Sequence, residues 1–108
     1  MIYLANAFSL QMIAPDPVAN VRITRSNPGA VRAILSEGWY TSAVGHADTA
    51  AVFEALLGTE VVAQRVNVAL TSEDLLIVGQ ITGGRLPEGA HTLPEGAHID
   101  WLLVRLID

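Results

Sequence analysis

Cysteine is absent from the 108 residues, which excludes a disulfide framework and any thiolate-held metal. Lysine is absent too, so all six basic residues are arginines, set against eleven acidic ones for a formal net charge of −5. A chain of this charge repels long polyanions, and duplex or extended single-stranded nucleic acid is excluded as a general partner. A small anion remains admissible, because a few arginines clasp phosphate in two-point contacts and cannot lose their charge. No apolar run has the length needed to span a bilayer. Met1-Ile2-Tyr3-Leu4 opens without a basic leader, and Ala5-Asn6-Ala7, though similar to a signal-cleavage site, lies too early to serve as one. The expectation is a soluble, cytoplasmic protein with no membrane partner.

At 51% hydrophobic composition, residues 1–108 suffice for one domain with its own core. Ile2 to Leu4 reads as a first strand, and the alternation from Val18 to Thr24 as a second. Ser26-Asn27-Pro28 supplies cap candidates and a first-turn proline for a short helix ending at Gly38. Trp39 to Val44 reads as a third strand, Ala47 to Leu57 as the clearest helix, stopped by Gly58, and Val61 to Leu70 as a segment ending in a strand. Leu75-Leu76-Ile77-Val78 is a continuous apolar run suited to a strand buried on both faces, and His98 to Leu106 is a final strand. The fold class predicted is α/β in the α+β sense: a mixed central β-sheet of about five strands flanked by two or three helices.

The chemical features are few. Ala43-Val44-Gly45-His46-Ala47-Asp48-Thr49-Ala50 places His46 directly before the clearest helix. A helix mouth carries unpaired N–H groups and the positive end of the macrodipole, so Ala47 and Asp48 offer backbone donors to a phosphate beside an acid/base imidazole. The second feature is the glycine-flanked loop Gly83-Gly84-Arg85-Leu86-Pro87-Glu88-Gly89, read as a mobile lid within residues 82–96. Here the chain nearly repeats itself, Leu86-Pro87-Glu88-Gly89-Ala90-His91 returning as Leu93-Pro94-Glu95-Gly96-Ala97-His98, which a period of seven over two copies makes two similar turns rather than a solenoid. Taken singly, these residues have ordinary explanations. His46 is by itself a cap or surface histidine, Arg85 and Glu88 pair across a solvated loop, Arg65 covers an edge strand with its stem, and Asn6 and Ser9 satisfy their own turns. Trp39, Tyr40 and Trp101 read as core aromatics of strands.

Together, Leu4-Ala5-Asn6-Ala7-Phe8-Ser9-Leu10-Gln11-Met12, Gly45-His46 with Asp48-Thr49-Ala50, and Arg85-Leu86-Pro87-Glu88-Gly89 resemble the viral anti-CRISPR ring nucleases and their cellular relatives, in the expected order over nearly the whole chain. The resemblance implies a homodimer that binds cyclic tetra-adenylate, the second messenger of type III CRISPR defence, between its subunits and cuts it without metal or cofactor. It implies that His46 is catalytic, that Arg85 and Glu88 come from the closing loop, and that Asn6, Ser9, Arg65 and Gln80 line the pocket. The chain departs from the family in its duplicated Pro-Glu-Gly-Ala-His unit and in the Gly83-Gly84 insertion between Gln80 and Arg85.

The residue types suit that chemistry. A ribose 2′-hydroxyl can attack its own phosphodiester, leaving a 2′,3′-cyclic phosphate and a departing 5′-oxygen that needs a proton. Protonated His46 would supply it, Arg85 would balance charge on the phosphate, and Glu88 would either accept a hydrogen bond from the attacking hydroxyl or hold Arg85 in place. Two other readings stand beside this one. His46, His91 and His98 form a three-histidine zinc set only without any recognised ligand spacing. A non-catalytic sponge for a cyclic nucleotide, or a dimer that docks on another protein, would use the same pocket residues for binding alone.

Overall fold

Strand β4 (Leu75–Thr82) organises the molecule because its residues Leu75 to Gly79 are buried without interruption. Its neighbours are β1 (Ile2–Ala5), parallel to it, and β5 (His98–Ile107), antiparallel. Beyond them lie β3 (Thr41–Ala43), parallel to β1, and β2 (Asn20–Arg25), antiparallel to β5, giving the order β2-β5-β4-β1-β3. The computed structural model describes residues 1–107 as this five-stranded mixed sheet with helices α1 (Pro28–Ser36) and α2 (Ala47–Leu57), an α+β fold. A single 3₁₀ turn, Leu10–Met12, adds a third helical element.

A strand with period-two side chains that is apolar throughout needs cover on both sides. On one face Ile77, Leu4 and Trp101 pack beneath Val31 and Leu35 of α1 and Ala50, Phe53 and Leu57 of α2. On the other, Leu76, Val78, Ala5 and Val104 pack beneath Val68 and Leu70, with Phe8 and Met12 alongside. The opposite cover is therefore irregular chain and the 3₁₀ turn, with no α-helix. Residues 61–70, expected to end in a strand, form none: Val61 joins the helix-side core while Val68 and Leu70 join the other, so the segment wraps the β3 edge. Chain that turns from one face to the other meets its neighbours by single bonds, Gln64 N–H to Val44 O (2.8 Å) and Leu70 N–H to Met12 O (2.8 Å), and not by a ladder.

The aromatic residues divide. Trp101 is buried and lies 4.9 Å from Phe53, ring centre to ring centre, as a core strand residue should. Trp39 is 96% exposed and Tyr40 donates its hydroxyl to Glu60 O at 2.6 Å, so β3 begins only at Thr41, two residues after the expected start. The turn into β4 is fixed by Asp74, which accepts from the Thr71 N–H (2.9 Å) and hydroxyl (3.1 Å) and faces the Met1 ammonium at 3.3 Å. Burial works to raise the Asp74 pKa, but the Thr71 N–H, the ammonium and the Thr71 hydroxyl outweigh it and hold the carboxyl below its ordinary range.

Gly79 is the tightest point of this packing: a Cβ there would lie 2.6 Å from both Phe53 Cζ and Trp101 Cζ3. Gly79→Ala forces the aromatic pair apart, and denaturant unfolding is expected to show a loss of about 1–3 kcal/mol. An unchanged unfolding midpoint would contradict the packing.

Candidate active site

The three parallel strands end side by side, the place where open sheets with helical connections present ligand sites. Asn6 follows β1, Val44-Gly45-His46 follow β3, and Gln80 and Ile81 lie near the end of β4. Of these, Asn6, His46, Gln80 and Ile81 line a cavity of about 550 Å³ with Ala7, Asp48, Thr49, Gly84, Arg85 and Leu86. A second depression of about 270 Å³ adjoins it, lined by Ala43, Gly45, Arg65, Val66 and Asn67. Asn6 and His46 border both, so the two depressions, together called the trough, adjoin at these residues, with Arg85 lining the larger and Arg65 the smaller.

His46 is the N-cap residue of α2, with extended backbone (φ −128°, ψ 133°), and its side chain makes no capping hydrogen bond. The other helical starts are satisfied: Asn27 Oδ1 accepts from Ala30 N–H at 2.9 Å, and Ser9 Oγ accepts from Gln11 N–H at 3.2 Å. Since the first N–H groups of a helix have no partner within it, the mouth of α2 opens into the trough with donors unclaimed by any cap and the positive dipole end behind them. Neither Arg85 nor Arg65 has an ion-pair partner among the described residues, and the Arg65 Nε–H reaches only Gly45 O at 3.4 Å. The trough therefore carries cationic and N–H groups whose natural complement is a polyanion of small size.

Six of the nine residues singled out from the sequence line the trough: Asn6, His46, Asp48, Gln80 and Arg85 in the larger cavity, and Arg65 in the smaller. Ala47 supplies the first turn of α2 beside them. Ser9 lies one depression further on, with Gln11, Met12, Val66, Asn67 and Val68, and its hydroxyl is engaged in the 3₁₀ cap. Glu88 is exposed, lines neither part of the trough and makes no ion pair with Arg85. Thr49 and Asn67 also line it; Thr49 stands in the Asp48-Thr49-Ala50 motif without a role there, and nothing in the sequence marks Asn67. Among the described residues no three His, Cys, Asp or Glu side chains gather around one point, so His46, His91 and His98 do not assemble a ligand set.

The loop between β4 and β5 spans residues 83–97 and carries the repeat as two like turns. Ala90 N–H bonds Pro87 O at 3.0 Å and Ala97 N–H bonds Pro94 O at 3.1 Å, with Gly89 (φ 78°) and Gly96 (φ 84°) in the third position, which requires glycine. Glu88 and Glu95 thus hold equivalent places. The first turn touches α2, where Gly89 N–H donates to Asp48 Oδ2 at 3.1 Å.

The fold and the trough define a class: small α+β proteins with a cleft at the carboxyl ends of parallel strands. Within it, the chain belongs to the STIV B116-like family, whose model matches residues 2–97. Nine chains of solved structures match; among them is B116 of Sulfolobus turreted icosahedral virus, 24% identical, with 96% of this chain and 97% of that chain covered and a TM-score of 0.79. At that identity the likeness establishes a shared fold. No curated protein matches the chain. Membership agrees with the viral ring-nuclease resemblance carried by residues 4–12, 45–50 and 85–89.

The two helix starts give a stability test of what His46 is for. Asn27→Ala removes a cap bond and is expected to cost about 1 kcal/mol, whereas His46→Ala, with no such bond to lose, should change unfolding free energy by less than about 0.5 kcal/mol. A large loss at His46 would make it a structural residue.

Proposed function

We propose that the trough binds a cyclic oligoadenylate, cyclic tetra-adenylate by the ring-nuclease resemblance, between two subunits and cleaves it without metal. The observation that carries this reading is the uncapped mouth of α2 with His46 as its N-cap residue, in depressions that Arg65 and Arg85 also line, each without an ion-pair partner among the described residues. A phosphodiester held on the α2 N–H groups has its leaving 5′-oxygen next to the imidazole. The ribose 2′-hydroxyl attacks phosphorus and loses its proton to solvent, the P–O5′ bond breaks, and His46 delivers the proton that O5′ takes up and is reprotonated from water. Arg85 offsets the charge of the phosphorane, and the N–H donors bind its oxygens more strongly as that charge grows. No protein nucleophile is consumed, and the remaining rate comes from holding the three reacting atoms in line.

A cyclic ligand with repeating units suits a two-fold axis. Two copies of His46 then address opposite phosphates, and the products are linear di-adenylates ending in 2′,3′-cyclic phosphate. In a type III CRISPR host this removes the messenger. A non-catalytic sponge requires the same anion-accepting groups but gives the imidazole no task.

Incubation with cyclic tetra-adenylate, followed by separation of the products, tests the reading. Wild-type protein is expected to release di-adenylates at a rate unchanged by chelator, and His46→Ala to bind the ring while cleaving it ~10²- to 10⁴-fold more slowly. An intact ring in a stoichiometric complex with the wild-type protein would establish a sponge, and turnover abolished by chelator would contradict the metal-free route.

A further inference from the structure

The carboxylate of Asp48 occupies an unexpected position for a residue at the mouth of an anion site. It is second in α2, it lines the same cavity as His46 and Arg85, and it spends one oxygen on a backbone N–H of the loop, Gly89, 41 residues away. Among the described residues this is the one hydrogen bond from α2 to the loop. The rest of the loop is tied to itself or to the strand ends: two internal turns, a neck where Gly83 passes against Gly96 O, and a base closed by Thr82 Oγ1 and His98 Nε2 at 2.7 Å. The latch therefore sets where the tip of a pre-shaped loop sits. In that latched position Arg85 faces the cavity, while Glu88, next to the latched glycine, stands outside it.

We infer that Asp48 is a charge-sensing latch: it holds the loop in the ligand-free protein and lets go when a phosphate occupies the α2 mouth. The cause is electrostatic. A phosphate on the first-turn N–H groups sits within one helical turn of the Asp48 carboxylate, and two anions at that separation in a partly enclosed cleft repel. Opening the bond frees Gly89 N–H, a donor suited to a phosphate oxygen, and frees the adjoining Glu88 to enter the trough. The anionic ligand thereby relocates Glu88, which the latched loop holds outside the trough. Asp48 acts as a positioning residue, and the release step rests on the function proposed above while the latch itself does not.

Amide exchange at Gly89, followed by NMR, tests the two parts separately. In the free protein Asp48→Ala is expected to make Gly89 exchange roughly fivefold to tenfold faster, with Val52 and Phe53 in the middle of α2 unchanged. Asp48→Asn, which keeps an acceptor and loses the charge, should retain the wild-type protection. Equal exchange in all three proteins overturns the latch, and an Asn variant as fast as the Ala variant reduces Asp48 to a local field effect. Adding cyclic tetra-adenylate should then deprotect the Gly89–Asp48 contact in the wild-type protein, read from the loss of the Gly89 chemical shift of the free state, but leave it in place in Asp48→Asn. Binding with the contact intact in the wild-type protein overturns release. Failure of the ring to bind, seen by calorimetry, refutes the cyclic-oligoadenylate reading and release with it, while the free-protein comparison still decides the latch.

Discussion

Strand β4 must be covered on both faces, and the route the chain takes to do so builds the site. Leu76 and Val78 look toward one side of the sheet and Leu75 and Ile77 toward the other. The helices cover only one side. The other is closed by the segment after β1, through Phe8 and Met12, and by the wrapping segment through Val68 and Leu70. Both pass the carboxyl ends of the parallel strands on the way. That passage delivers Asn6 from one segment and Arg65 and Asn67 from the other to the end where α2 begins. The recognition side of the trough is thus a by-product of hydrophobic cover, whose apolar anchors also limit how far these polar residues can drift.

Against this rigid frame the α2 mouth is a place where the chain forgoes stability. A serine or aspartate in place of His46 would cap the helix and gain about 1 kcal/mol, but it would claim the N–H groups that now face the trough. The histidine leaves them free and sets an imidazole beside them. Local rules for stability are broken most often where a protein acts. The contrast with Asn27, which caps α1 by the ordinary rule, shows that the fold does not require the exception.

Much of this was legible in the sequence. The run Leu75–Val78 announced a doubly buried strand, Asn27-Pro28 announced the start of α1, and Gly58, at φ 66°, announced the end of α2. His46, Asn6, Arg65, Gln80 and Arg85 are grouped by the family resemblance, and no local pattern in these residues alone joins them. What failed had a common cause. Residues 61–70 have strand composition, yet their apolar side chains serve two different cores, and no local pattern records that a segment turns an edge. Trp39 is apolar and follows a helix stop, but it falls where the chain has not yet reached the sheet and so stays in solvent. Glu88 and Asp48 depended on loop geometry: only the backbone of the first turn, with Gly89 N–H directed at α2, reveals that the carboxylate holding the loop is Asp48 and that Glu88 is left outside.

On the ring-nuclease reading the uncapped start of α2 receives phosphate. The most direct measurement is a titration of ¹⁵N-labelled protein with cyclic tetra-adenylate, observing the backbone amides of Ala47, Asp48 and Thr49 beside that of Ala30, whose N–H is already capped by Asn27. Large shifts are expected at the three α2 amides, saturating at one ring per two chains, with Ala30 unmoved. Saturable binding that leaves Ala47, Asp48 and Thr49 where they were would contradict it.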